Sequence, residues 1–158
     1  MGTDFEVALP SARATRALGK RLGRVLQAGD TVALVGDLGA GKTTFTQGLA
    51  AGLGVPADAR VRSPTFAIAH VYPGGRVTLY HVDVYRLETE SALWALGFED
   101  YIAGDGVCVV EWADRVPAAL PVDHLVVRFE ARDGGRLASV RGTGTRSGVL
   151  ALALSPRP

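Results

Sequence analysis

The chain has 158 residues, of which 47% are hydrophobic and 21% charged, with a formal net charge of +1 at pH 7. That size predicts one domain over residues 1–158 with its own core, and the near-zero charge excludes a global field favouring nucleic acid or a membrane surface. No run approaches the roughly 20 apolar residues of a membrane span, no basic-then-apolar leader opens the chain, and the single cysteine, Cys108, excludes an intrachain disulfide, so a cytoplasmic protein is expected.

In chain order, Phe5 to Leu9 reads as a short edge strand. Ser11 then has the residue type of a helix N-cap, and Leu18, Leu22, Val25 and Leu26 give an amphipathic helix ending near Gly29. Its Arg13, Arg16, Lys20, Arg21 and Arg24 form either a solvated face or a docking face for RNA or an acidic partner. Thr31-Val32-Ala33-Leu34-Val35 is apolar and rich in β-branched residues, as a buried strand is.

The next run, Gly36-Asp37-Leu38-Gly39-Ala40-Gly41-Lys42-Thr43, fits the P-loop pattern G-x-x-x-x-G-K-[ST] at every fixed position. Glycines let successive backbone N–H groups curl around phosphate oxygens without Cβ clashes. Lys42 reaches toward the β/γ-phosphates, the Thr43 hydroxyl suits Mg2+, and the helix that follows points its positive end at the anion. Asp37, Leu38, Gly39, Ala40, Gly41, Lys42, Thr43 and Thr44 are therefore the expected phosphate-binding residues. Phe45, Leu49 and Leu53 recur every four residues after the loop, and Gly54 and Pro56 end the helix. Lysine occurs only at Lys20 and Lys42, against fifteen arginines, so a lysine in this loop marks a place for a point charge.

Pro64 in Val61-Arg62-Ser63-Pro64-Thr65-Phe66 forbids a regular helix and keeps Ser63 extended. Phe66 to Tyr72 reads as a strand, Pro73-Gly74-Gly75 as a turn, and Val77 to Val82 as the return of a hairpin. Glu88 to Leu96 reads as a short helix stopped by Gly97, and Gly106 to Glu111 as a second buried strand with Cys108 in the core. Asp123 to Ala131 and Arg136 to Arg141 flank Asp133-Gly134-Gly135 as another hairpin. Val149 to Leu154 is expected as a last strand and residues 155–158 as a frayed tail. The fold class expected is α/β: a P-loop NTPase-like core with a mixed sheet and antiparallel hairpin additions. In such open sheets the nucleotide sits at the carboxyl ends of the strands.

Phosphoryl chemistry needs a second acidic group near Mg2+ and something to place the nucleophile. Two apolar strands end in a carboxylate, Val77 to Asp83 and Val107 to Glu111. Each acid is read as a metal-shell group, with a helix cap for Asp83 and a surface ion pair for Glu111 as the alternatives. Thr65 is a candidate loop sensor of Mg2+ or γ-phosphate, or simply part of a Ser-Pro-Thr turn. His81 lies two residues before Asp83, on the same strand face; it is a general base, a water-positioning group or a hydrogen-bonded core histidine. Three histidines and one cysteine give no zinc spacing.

Four segments together resemble the TsaE (YjeE) family: Gly36 to Phe45, Ser63-Pro64-Thr65-Phe66, His81-Val82-Asp83-Val84-Tyr85-Arg86, and Glu111-Trp112, with Leu96 to Tyr101 also fitting. The resemblance implies a small ATPase using ATP/ADP and Mg2+. It would bind a TsaB–TsaD complex and support repeated threonylcarbamoyladenosine modification of tRNAs reading codons that begin with A, meeting tRNA indirectly through that complex; no membrane partner is expected. It further implies Thr43 and Glu111 as Mg2+ ligands, Asp83 as an essential acid, Trp112 as an essential neighbour of the site, and Arg136 as a nucleotide contact. Lys42, Asp83, Thr65 and Glu111 are thus the expected catalytic set. Arg86 is a candidate arginine finger. Rival classes with the same cradle are a small-molecule or protein kinase and a nucleotide-gated binding module.

Overall fold

The computed structural model describes residues 4–37, 39, 41–64, 66–102 and 104–156, so the expected site residues Leu38, Ala40 and Thr65 lie outside the described residues. Along the chain run β1 (Asp4–Leu9), α1 (Ala12–Val25), β2 (Thr31–Gly36), α2 (Lys42–Leu53), β3 (Ala69–Tyr72), β4 (Thr78–Asp83), α3 (Glu90–Ala95), α4 (Phe98–Ile102), β5 (Gly106–Glu111), β6 (Leu125–Arg132), β7 (Gly135–Gly142) and α5 (Thr145–Ala153). The strands form one mixed sheet in the order β1-β7-β6-β2-β5-β4-β3. The inner four are parallel, and β7, β1 and β3 are added through antiparallel pairings at the two sides. This is the α/β architecture the sequence predicts, with β1 at an edge.

Residues 32–35 of β2 and 107–110 of β5 are unbroken apolar runs because both sheet faces are covered. Alternation sorts their side chains. Val32, Leu34, Val107 and Val109 pack with Leu18, Leu22, Phe45, Leu49 and Leu150 from the helices of one face. Ala33, Val35, Cys108 and Val110 pack with Val82, Val84, Leu93 and Phe98 on the other. Burial pushes the Cys108 thiol far up, so it stays neutral and inert.

Ser11 caps α1 by accepting from the Ala14 N–H at 3.1 Å. α1 and α2 meet backbone to backbone. A Cβ on Gly19 would lie 2.1 Å from the Phe45 carbonyl oxygen, and one on Gly48 would lie 2.0 Å from that of Arg16. This close packing sets the position of α2, and with it the loop at its N-terminus.

Four regions depart from the sequence reading, the first being α1, which stops at an exposed Val25 where an end near Gly29 with Val25 on the apolar face is expected. Thr145–Ala153 is helix α5, where a strand from Val149 to Leu154 is expected. Ser147, Leu150, Ala151 and Leu154 are buried while Val149 and Leu152 are exposed, which is the three-and-four spacing of a helix. The Asp123 carboxylate accepts the Arg146 and Ser147 amides at 3.0 Å, and Arg21 donates to the Ala153 and Ser155 carbonyls at the other end. Both ends of α5 are thereby satisfied. The Ser147 hydroxyl and these amides hold the Asp123 carboxyl below the usual carboxylate range.

The strand expected from Phe66 to Tyr72 begins only at Ala69. Ile68 takes a φ of 69° and returns its N–H to the Pro64 carbonyl, which turns the chain and leaves Phe66 exposed. After α3 the chain turns at Gly97, with φ 81°, and begins α4 at once, burying Phe98. Among the described residues no helix is long and apolar enough to cross a membrane.

Candidate functional site

β2 ends at Gly36 and α2 begins at Lys42, so the P-loop run joins a buried central strand to a helix N-terminus. Gly39 and Gly41 take φ values of 78° and 115°, which a side chain at either position would oppose. Lys42 is buried at the base of the loop. Its Nζ donates to the carbonyls of Gly36 at 2.5 Å and Asp37 at 2.9 Å and sits 4.1 Å from the centroid of the Trp112 ring. Burial lowers the Lys42 pKa from its ordinary value, and the nearby Glu111, Asp83, Asp114 and Asp37 offset this only in part. An anion placed here would relieve that cost.

The facing wall is built by strand register. Asp83 of β4 and Glu111 of β5 are direct neighbours at the carboxyl edge of the parallel strands. Both are buried, and they lie beside Lys42 and Thr43 around a cleft of about 280 Å3 that Gly39, Gly41, Thr44, Ser63, Tyr85 and Trp112 also line. The Thr43 hydroxyl is 3.4 Å from Glu111 Oε1. Asp83 accepts the Ser63 hydroxyl at 2.5 Å and the Tyr85 amide at 2.9 Å. The surface ion pair considered for Glu111 is therefore not what forms. His81 is fully buried behind the cleft and does not line it; its Nε2 lies 2.6 Å from Glu111 Oε2.

Trp112 follows Glu111 with φ 61°, a left-handed conformation that costs a bulky residue about 1–2 kcal/mol. This turn brings its indole over Lys42, and Tyr85 packs on it with ring centroids 4.8 Å apart. Ser63 and Tyr85 carry no catalytic signal in sequence; their only mark is membership of the segments around Pro64 and Asp83.

Arg136 stands on the other side of the loop, where its Nη2 donates to the Gly39 carbonyl at 3.0 Å. It borders an adjoining cleft of about 280 Å3 with Pro10, Ser11, Thr15 and Gly134. Arg86 stacks 4.2 Å over the Phe66 ring and does not line the carboxylate cleft. On α1, Arg13, Arg16, Lys20 and Arg24 are exposed, whereas Arg21 is tied to the α5 carbonyls.

A glycine-rich loop between a parallel strand and a helix, faced by two buried carboxylates at the strands' carboxyl edge, defines the class: an α/β protein with a P-loop NTPase-like core. The family described as threonylcarbamoyl adenosine biosynthesis protein TsaE matches residues 9–138. The tRNA threonylcarbamoyladenosine biosynthesis protein TsaE of Bacillus subtilis is 44% identical over 142 residues, 89% of this chain and 87% of that protein. The Treponema pallidum protein of the same name is 43% identical over 131 residues, 82% of this chain and 95% of that one. The crystal structure of Bacillus subtilis YdiB matches with a TM-score of 0.81 at 35% identity, covering 98% of this chain and 95% of YdiB. The chain belongs to the TsaE family, and its role lies in the biosynthesis of threonylcarbamoyladenosine in tRNA.

Proposed function

We propose that this protein is a Mg2+-dependent ATPase that binds a TsaB–TsaD assembly and supports its turnover in tRNA modification. The observation that carries the catalytic part is the convergence of Lys42, Thr43, Asp83 and Glu111 on one cleft at the mouth of the P-loop. The partners rest on family membership.

The donor set fits the metal. A threonine hydroxyl and two buried carboxylates are hard oxygen donors, which suit Mg2+, and among the described residues lining the cleft there is no histidine or cysteine to compete. Thr43 and Glu111 would hold the ion. When bound, Mg2+ neutralises charge on the β- and γ-phosphate oxygens. Lys42 spends two of its three N–H donors on loop carbonyls, which leaves one for a phosphate oxygen. Backbone N–H groups of the loop and of the α2 N-terminus bind the remaining phosphate oxygens. Asp83, fixed by Ser63 and the Tyr85 amide, orients the attacking water. Arg136 and the adjoining cleft take the nucleoside side. Among the described residues no arginine lines the carboxylate cleft, and Arg115 stacks over the Tyr85 and Trp112 rings at its edge; slow intrinsic turnover raised by the partners is what this reading expects.

The test is phosphate release from ATP and Mg2+, with this protein alone and with TsaB–TsaD plus tRNA. Partner-stimulated release supports the reading. Transfer of labelled γ-phosphate to an acceptor other than water would make the protein a kinase. Undiminished multiple-turnover modification by a hydrolysis-dead variant would make it a nucleotide-gated module.

A further inference from the structure

His81 is the one fully buried histidine, and its position is set by alternation along β4. Leu79, two residues earlier on the same face, sits in the apolar core beneath α2. An aliphatic side chain would satisfy that environment. Instead the chain buries an imidazole whose Nδ1 has no hydrogen-bond partner among the described residues, which carries a desolvation penalty. Among the described residues the ring's one polar contact is Nε2 to Glu111 Oε2 at 2.6 Å. A carboxylate is acceptor only, so Nε2–H donates.

Glu111 thus divides its two oxygens. Oε2 takes the imidazole N–H from behind, and Oε1 faces the Thr43 hydroxyl at 3.4 Å. His81 and Glu111 come from adjacent parallel strands, with His81 paired to Val109 and Glu111 one alternation further along the same face. Both side chains are buried, which removes water as a competitor for the bond.

We infer that His81 is a positioning residue: it locks the Glu111 carboxylate so that a single oxygen, Oε1, is presented beside Thr43 to a divalent cation. This rests on the metal-binding reading of the site. It assigns His81 neither water activation nor contact with substrate, since the ring lies behind the cleft lining. Partners that orient a metal-ligating group typically contribute about 10- to 100-fold in metal affinity.

The experiment measures ADP affinity of the full chain by titration calorimetry, with and without Mg2+, in the wild type, His81→Phe and His81→Gln. Phe keeps the ring volume and removes the donor; Gln keeps an N–H at comparable reach. The inference expects His81→Phe to need at least about 10-fold more Mg2+ for the same gain in ADP affinity. Metal-free ADP affinity stays within about twofold, and His81→Gln recovers most of the Mg2+ response. If His81→Phe does not fold, His81→Asn replaces it, because its shorter amide cannot reach Glu111, and the contrast with His81→Gln decides. Equal loss of metal-free and Mg2+-dependent affinity, or an unchanged Mg2+ response, overturns the inference. A wild type whose ADP affinity ignores Mg2+ removes the metal reading, and this inference with it; that result is distinct because it appears before any substitution.

Discussion

The two walls of the cleft are made by opposite means. The loop wall presents backbone, with Gly39 and Gly41 in left-handed conformations and a single buried charge, Lys42. The strand wall presents side chains fixed by sheet register, Asp83 and Glu111 side by side with His81 behind. One wall is a run of consecutive residues. The other is assembled from positions 30 residues apart, as His81 and Glu111 are. In the proposed function the loop would decide where a phosphate sits, and the sheet what faces it.

Lys42→Ala breaks the comparison most severely, because it removes the loop wall's one positive charge and its one buried charge among the described residues. Nucleotide affinity should fall by about 2–5 kcal/mol, roughly 30-fold or more, as read by calorimetric titration with ADP. Affinity within threefold of wild type would show that backbone N–H groups suffice.

A second, smaller effect separates the walls by pH. Burial lowers the Lys42 pKa below its ordinary 10.5. Between that lowered value and the unfolded value, the folded chain holds fewer protons than the unfolded one, so the Lys42 contribution to stability rises with pH. Phosphate needs the ammonium, so nucleotide affinity moves the other way and declines as pH passes the lowered pKa. Affinity measured as pH is raised toward 10.5 should decline in the wild type and stay flat in Lys42→Ala. Parallel curves would remove Lys42 as the titrating group.

Arg136→Ala should act least. Its guanidinium is partly solvated and touches the loop through one bond to the Gly39 carbonyl. A loss of about 0.5–1 kcal/mol, two- to fivefold in ADP affinity, is expected by the same titration. A loss as large as that of Lys42→Ala would mean the nucleoside side, rather than the phosphates, dominates binding.

The same division explains what could be read from sequence. The phosphate loop follows from local chemistry, since Gly-x-x-x-x-Gly-Lys-Thr after a β-branched strand has few other physical uses. β5 was legible to its ends because an unbroken apolar run stops at a carboxylate, but its place beside β2 was not, since Val77 to Asp83 ends the same way and either strand could take it. Asp83 and Glu111 could be nominated as strand-end acids, but their adjacency belongs to the pairing of β4 with β5. His81 stayed open because its partner is a neighbour in space. α5 was misread because exposed Val149 and Leu152 fill out an apolar run whose buried positions follow a helical period. The close approach of α1 and α2 was not legible, since Gly19 and Gly48, where the backbones meet, carry no side chain to enter a hydrophobic period.

The most direct measurement pairs ADP affinity with phosphate release for Asp83→Ala, assayed with the partner assembly and tRNA present. If the loop binds and the strand wall drives chemistry, affinity stays within about threefold while release drops about 100-fold or more. If binding is lost together with release, or both persist, Asp83 does not orient the attacking water and the division between the walls is wrong.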